Sequence, residues 1–375
     1  MKALHIYAGP QARAAMARHG LQPGHIATIP AAAGGPKGLI LGALDRFIFG
    51  QWLTQSDQPV DLVGASIGAW RMATACLTDT VAALNQLEHD YVHQHFELAP
   101  GQKRPPAAQV SAQFAHNLQA FYGDRVDEVL HNPRLRLHIV TSRGRHLLRR
   151  EHGLATPLGY LGAYVTNAVH RRAMGAWLER VVFSTPGAAL PFATNDYPTR
   201  QVELTAANFQ SALQASCSIP FVLRAVQNIT GAPSGAYWDG GITDYHLHLN
   251  YTGHRSATVS GANNPDNSRA NSQNGLVLYP HFQKAVVPGW LDKSLKWRHR
   301  STHFLDTMLL LAPNPEWVKK LPNGKLPDRT DFTHYGNDLV ARVKVWRTAC
   351  AASVQLAEEF AAWLDKPDMR QVLPL

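Results

Sequence analysis

The residues of this chain best suited to covalent chemistry are a serine on a tight turn and an aspartate far downstream. Ser66 lies in Gly64-Ala65-Ser66-Ile67-Gly68, and Asp239 opens Asp239-Gly240-Gly241. A serine hydroxyl is a poor nucleophile until a neighbour takes its proton. Val60-Asp61-Leu62-Val63 before the turn reads as a short strand, and the run from Ala69 to Leu77, free of proline and poor in β-branching, reads as a buried helix. Strand, sharp turn and helix are the setting in which G-x-S-x-G presents a nucleophile. Gly64 and Gly68 let backbone and helix approach where a Cβ would collide. The alternative is a Gly/Ser turn that only closes a parallel sheet.

Acyl transfer also needs donors aimed at the oxyanion that develops on the attacked carbonyl. Ala33-Gly34-Gly35-Pro36-Lys37-Gly38 follows a strand ending near Ile29-Pro30 and opens a helix at Leu39, so its amides point outward where a helix N-terminus favours anions. Pro36 has no N–H to offer, whereas Gly34 and Gly35 do, and Lys37 adds positive charge. A phosphate-binding loop is the rival reading, but neither G-x-x-x-x-G-K-[ST] nor G-x-G-x-x-G occurs. A plain glycine-rich turn is the third. Asp239 follows Tyr237 and Trp238 at an expected strand end, and aromatic neighbours suit a desolvated carboxylate with a raised pKa. On its own, D-G-G is also a common turn.

Glycine loop with a basic residue, G-x-S-x-G, then D-G-G, in that order, resembles the patatin-like phospholipase family. Ala215-Ser216-Cys217-Ser218-Ile219-Pro220-Phe221 is similar to that family's A-[ST]-S-x-x-P-x-F stretch. From Gly34 to Gly241 these elements cover a little over half of the chain. The resemblance implies a three-layer α/β/α fold with a mostly parallel central sheet and a Ser-Asp dyad that needs no histidine and no cofactor or metal. It assigns Ser66 as nucleophile, Asp239 as base, and Gly34, Gly35 and Lys37 to the oxyanion loop, with Gly38, Gly240 and Gly241 in support. The activity implied is hydrolysis of fatty-acyl esters of phospholipids or related lipids. A broad carboxylesterase, a triacylglycerol lipase, a transacylase and a non-catalytic lipid-binding protein on the same scaffold are the alternatives. The chain departs from the family at Ala33, where a third glycine is usual, at Ala32, where an acidic residue is usual, and at Asp244, near which an asparagine is frequent.

Histidine is abundant enough to complete a triad, with 19 in the chain. His246 and His248 alternate along Tyr245-His246-Leu247-His248-Leu249, which predicts a strand with both on one face, but they lack a third metal ligand at convincing spacing. His246 is the triad candidate to test first, and the dyad reading expects it to be dispensable.

With 375 residues and 45% hydrophobic content, the chain supports a real core and excludes global disorder. A single domain is expected, with a motif-bearing core at about 23–250, a flexible polar insertion at 251–275 that is either a lid or inert, and a C-terminal extension at 276–375 ending in a helical cap. Strands are predicted near the N-terminus, at His25–Ile29, Leu135–Thr141 and Val181–Ser184, and helices at Gln11–His19, Leu39–Phe49 and Asp338–Leu364. The last of these carries an apolar stripe through Leu339, Val340, Val343, Trp346, Cys350, Val354, Ala357, Ala361 and Leu364. Three scattered cysteines and no C-x-x-C argue against a disulfide framework or structural zinc. The N-terminus lacks a clean secretory h-region, and no apolar run approaches the roughly 18 residues of a membrane span; Met308–Ala312 is far too short. The chain therefore reads as cytoplasmic. Its net charge of +9 favours anionic partners, and with no nucleic-acid motif a peripheral anionic membrane surface is the one considered. Trp290, Lys293, Lys296, Trp297, Arg298 and Arg300 mix indole and cation as interfacial segments do; equally, the tryptophans can anchor a small subdomain while the cations stay in water.

Overall fold

Short aliphatic runs between helical stretches build one mixed sheet of 11 strands. In chain order these are β1 (Leu4–Ala8), β2 (Ile26–Ala31), β3 (Val60–Ala65), β4 (Leu135–Gly144), β5 (Leu178–Ser184), β6 (Thr199–Glu203), β7 (Val226–Gln227), β8 (Ala236–Asp239), β9 (Leu276–Pro280), β10 (Met308–Pro313) and β11 (Val372–Pro374). The structure, a computed structural model, describes residues 1–98, 101, 102, 104–252 and 275–375. Most of the predicted insertion at 251–275, and Ala99, Pro100 and Lys103 of the loop that leads to Pro106, lie outside the described residues.

The spatial order is β11-β1-β10-β9-β2-β3-β4-β5-β6, with β8 on β4 and β7 on β8. From β10 through β9, β2 and β3 to β4 every pairing is parallel; β4 runs antiparallel to β5 and to β8. Helices cover both faces, so the fold is a three-layer α/β/α sandwich with a mostly parallel sheet. Parallel strands with helices on both faces are buried twice over and read as apolar runs rather than alternation. Met308–Ala312 is such a run: it is β10, buried along its whole length, and the C-terminal extension is thus more than a cap. Residues 276–375 supply β9, β10 and β11 as well as two closing helices.

Those closing helices are Leu339–Ala352 and Val354–Asp365, where one continuous helix was expected. Asp338 caps the first as predicted, its side chain accepting from Ala341 N. At Ser353 the hydroxyl donates to Cys350 O, and a serine that bonds the preceding turn competes with helical continuation. The buried face nevertheless runs on through both helices, on Trp346, Cys350, Leu356, Phe360 and Trp363, and Val340 and Val354 of the expected stripe are exposed. The segment Leu39–Phe49 likewise divides, into a tight turn over Gly35–Leu41, an α-helix at Gly42–Phe47 and a wide turn over Ile48–Trp52. Gly38 in the tight turn packs directly beneath Ile67, which a side chain there would crowd. His246 and His248 are not on a strand; they follow a short helix at Gly241–Asp244, and Leu247 between them has φ 49°.

One buried ion pair seats the helix that follows Ser66. Arg71, on helix Ile67–Ala75, donates from Nε and Nη2 to the two oxygens of Asp45 on helix Gly42–Phe47, both at 2.7 Å. Each side chain is buried, so removing one partner strands the other charge without solvent. Asp45→Ala is expected to cost about 3–5 kcal/mol in a urea unfolding titration. A loss below about 1 kcal/mol would place the pair in the class of solvated surface bridges.

Candidate active site

The edge of β4 decides which residues meet. β3 runs along it in parallel register as far as Ala65 opposite Val140, and β8 occupies the next stretch of the same edge in the opposite direction, with Asp239 opposite Thr141. Two strands therefore point at each other head to head, and the residue just past β3 faces the last residue of β8. Ser66 Oγ donates to Asp239 Oδ2 at 2.7 Å.

The turn at Ser66 is strained, with φ 56° and ψ −129°, a conformation that L-residues adopt only where surroundings enforce it. A Cβ on Gly68 would overlap the Ala31 carbonyl, and one on Gly64 would overlap the backbone of Ala69. Both glycines thus permit the close packing that the turn needs. Ser216, from the segment before D-G-G, clasps the turn to the sheet: its hydroxyl accepts from Ser66 N at 3.0 Å and donates to Val140 O at 2.7 Å. The same segment accepts Asp239 N on Ser218 O and Gly240 N on Ser216 O. Tyr237 and Trp238 are fully buried on β8 beside the carboxylate.

Asp239 is buried, and its Oδ1 accepts from Gly241 N at 2.7 Å. Burial pushes its carboxyl above the usual carboxylate range, against the opposing pull of Arg329 and of the hydrogen bonds from Ser66 and Gly241. Two cations from the C-terminal extension border this carboxylate. Arg329 and Lys293 line a small niche with Asp239, and Arg329 also reaches over Gly35 into the main cavity. Lys293 lays its ammonium over the rings of Tyr245 (4.1 Å) and Trp290 (5.6 Å). Partial desolvation among those rings, then repulsion from Arg329 and Lys37, brings its pKa down to about 8, although much of the residue stays open to solvent.

In the glycine loop the candidate donors divide. Ala33 N donates to Tyr245 O, whereas the amides of Gly34 and Gly35 meet no acceptor among the described residues. Gly35, at φ 57°, lines the cavity beside Ser66, and Gly34 lies under the ring of Phe282. Lys37 sits to one side with its ammonium 5.5 Å from the centre of that ring, and its pKa is lowered by burial. Ile67, the first residue of the helix after Ser66, lines the same cavity and presents its amide at a helix N-terminus. The cavity, about 360 Å³, runs from Ser66 between apolar walls that include Trp70, Phe114, Ile219, Val222 and Phe332.

His246 is elsewhere. Its Nδ1 faces Ala285 O and Val287 N, its ring stacks on Tyr245 and meets His281 edge-on, and burial, then His281, holds its pKa well below the usual value. His248, brought down to about 4 by burial, bonds Val286 O and Thr302. Asp244 pairs with Arg180 at 2.7 and 2.6 Å and with Arg171 at 3.2 Å, anchoring the short helix after Asp239. Arg329 and the clasp role of Ser216 escaped sequence reasoning. Arg329 belongs to no motif, and the tryptophan-lysine segment that signalled Lys293 read as a surface. Among the described residues no cluster of His, Cys, Asp and Glu fits a metal ion. No family model matches the chain, and no curated protein matches it.

A carboxylate with a raised folded-state pKa binds its proton more tightly folded than unfolded. It therefore penalises the fold as pH rises through that pKa and costs nothing below the unfolded value. Asp239→Asn, which keeps partners for Gly241 N and Ser66 Oγ, is expected to raise Tm at neutral pH and to lose that advantage in strong acid. Melts across pH that show no gain at neutrality would contradict the raised carboxyl. Ser216→Ala leaves the Ser66 amide without its acceptor and is expected to cost about 1–3 kcal/mol, read by chemical denaturation.

Proposed function

We propose that this chain is a cytoplasmic serine acyl hydrolase that cleaves fatty-acyl esters of phospholipids or related lipids through a Ser66–Asp239 dyad, as its motifs' resemblance to patatin-like phospholipases implies. The observation that carries this reading is the 2.7 Å hydrogen bond from a strained, buried serine to a desolvated aspartate at the head of an apolar cavity. A cavity of about 360 Å³ whose walls are mainly aromatic and aliphatic, with Arg104, Arg329 and Arg342 also lining it, suits an acyl chain that carries a polar or anionic end. Free, buried cysteines at Cys76, Cys217 and Cys350 are in keeping with a reducing compartment.

In the reaction, Ser66 Oγ attacks the ester carbonyl as its proton passes to Asp239. The raised basicity of a buried carboxylate favours that transfer near neutral pH. The oxyanion draws on the Gly35 and Ile67 amides, with Gly34 behind them. Collapse expels the alcohol, which takes the proton from Asp239 and leaves the acyl group on Ser66. Water then attacks the acyl-enzyme, Asp239 accepts its proton, and Ser66 departs with that proton restored as the fatty acid is released. Arg329 and Lys293 beside the dyad favour an ester whose other arm is anionic, which among lipids points to a phosphate.

Ser66→Ala and Asp239→Ala should each lower kcat on medium-chain nitrophenyl esters by about a thousandfold or more. Near-wild-type turnover in either would end the dyad assignment. Arg329→Gln is expected to reduce the ratio of kcat/KM for an anionic phospholipid to that for a neutral glyceride of the same acyl chain by about tenfold.

A further inference from the structure

Helix Ala155–Val169 is buried on one face and carries an exposed apolar stripe on the opposite one. Thr156, Gly159, Tyr160, Ala163 and Asn167 pack inward. On the other side Leu158, Leu161, Val165 and Val169, with Leu154 just before the helix, are 53% to 81% exposed. At 3.6 residues per turn these fall in one stripe roughly 80° wide. No residue of the helix carries charge. A helix that needs only its inner face for the core has no structural use for the outer leucines, and an apolar stripe left in water marks a contact surface.

What surrounds the stripe identifies the contact. Exposed Arg149 and Arg150 precede the helix, and exposed His170 and Arg172 follow it. Against its C-terminal half lies the segment 294–298: Tyr164 Oη meets Ser294 Oγ at 3.2 Å, and Arg298 donates to Asn167 Oδ1 and Ala168 O. Trp297 in that segment is 64% exposed, flanked by exposed Lys296 and followed by Arg300. An apolar stripe with an indole beside it and cations at both ends is complementary to an anionic bilayer, where side chains of the first kind enter the acyl boundary and those of the second meet headgroups. The helix has 15 residues, and no described helix is long and apolar enough to cross a membrane, so this one lies on the surface.

The helix that carries the stripe also touches the cavity rim through its inner face. Tyr160 of the same helix packs edge-on against Phe221, ring centres 6.0 Å apart, and exposed Phe221 and Val222 form the cavity rim that leads to Ser66.

The geometry points to Ala155–Val169, with Leu154, Trp297, Phe221 and Val222, as a docking face for an anionic lipid surface that sets the cavity mouth against the bilayer. The inference extends the lipid-ester reading, yet its test reads binding and not turnover, so the two can fail separately. Ser66→Ala protein is floated with phosphatidylcholine vesicles with and without phosphatidylserine, and the bound-to-free ratio is measured. Binding should be stronger to the anionic vesicles and weaken with salt. Adding Leu158→Ser, Leu161→Ser and Val165→Ser together should lower the ratio about tenfold or more. Arg149→Gln with Arg150→Gln should narrow the difference between the two vesicle types. All these positions are exposed, so melts should match the parent; if the triple variant melts early, Trp297→Ala and Leu161→Arg singly carry the same reading. Failure of the parent to float, or unchanged flotation of the variants, overturns the proposal. So does a parent dimer that the triple substitution dissociates without any effect on vesicles, because the stripe would then cover a second copy of the chain.

Discussion

Everything at the candidate site follows from two strands sharing one edge of β4. A strand edge offers a single row of hydrogen-bonding groups, so β8 can pair with β4 only where β3 has ended. Running in opposite directions, the two strands leave Ser66 and Asp239 facing each other across one register step. Ser216 then ties the junction together, since its hydroxyl serves both the Ser66 amide and the Val140 carbonyl. The strained turn is affordable because the β3 register, Gly64, Gly68 and the buried Arg71–Asp45 pair hold the helix behind it.

Buried charge is treated in two ways in this molecule. Arg71 with Asp45, and Arg180 with Asp244 and Asp196, are paired through several short hydrogen bonds, so that neither member faces the interior alone. Among the described residues no cation pairs directly with Asp239; its oxygens take a hydroxyl and an amide, and Arg329 acts from beyond. The first arrangement suits support. The second keeps a carboxylate basic, which is what activation of a hydroxyl demands.

Much of this was legible beforehand, and the reason differs from residue to residue. The turn at Ser66 announces itself because glycine at both flanks is a steric requirement of the local backbone. The strands β2, β3 and β5 show through short apolar stretches and β4 through its alternation, while the polar groups they bury, such as Asp61, His138 and Arg180, are satisfied by partners that no local pattern reveals. The continuous helix expected from Asp338 failed at Ser353, where one hydroxyl competing for Cys350 O outweighs an unbroken apolar period. The strand expected through His246 failed because alternation over so few residues is equally compatible with an irregular segment held by Ala285, Val286 and Val287.

By itself the sequence singled out Ser66 on its turn, Asp239 and the glycine loop as candidate site residues and indicated the α/β class, because each rests on local backbone geometry or on hydrophobic periodicity. Tertiary structure alone decided that β9 and β10 enter the middle of the sheet, that Arg329 and Lys293 stand over the dyad, that Ala33 donates to Tyr245 while Gly35 stays open, and that the stripe from Leu154 to Val169 faces outward. These are relations between segments far apart in the chain. Contacts of that kind are set by which surfaces remain to be covered once the sheet has closed, and no local pattern records them.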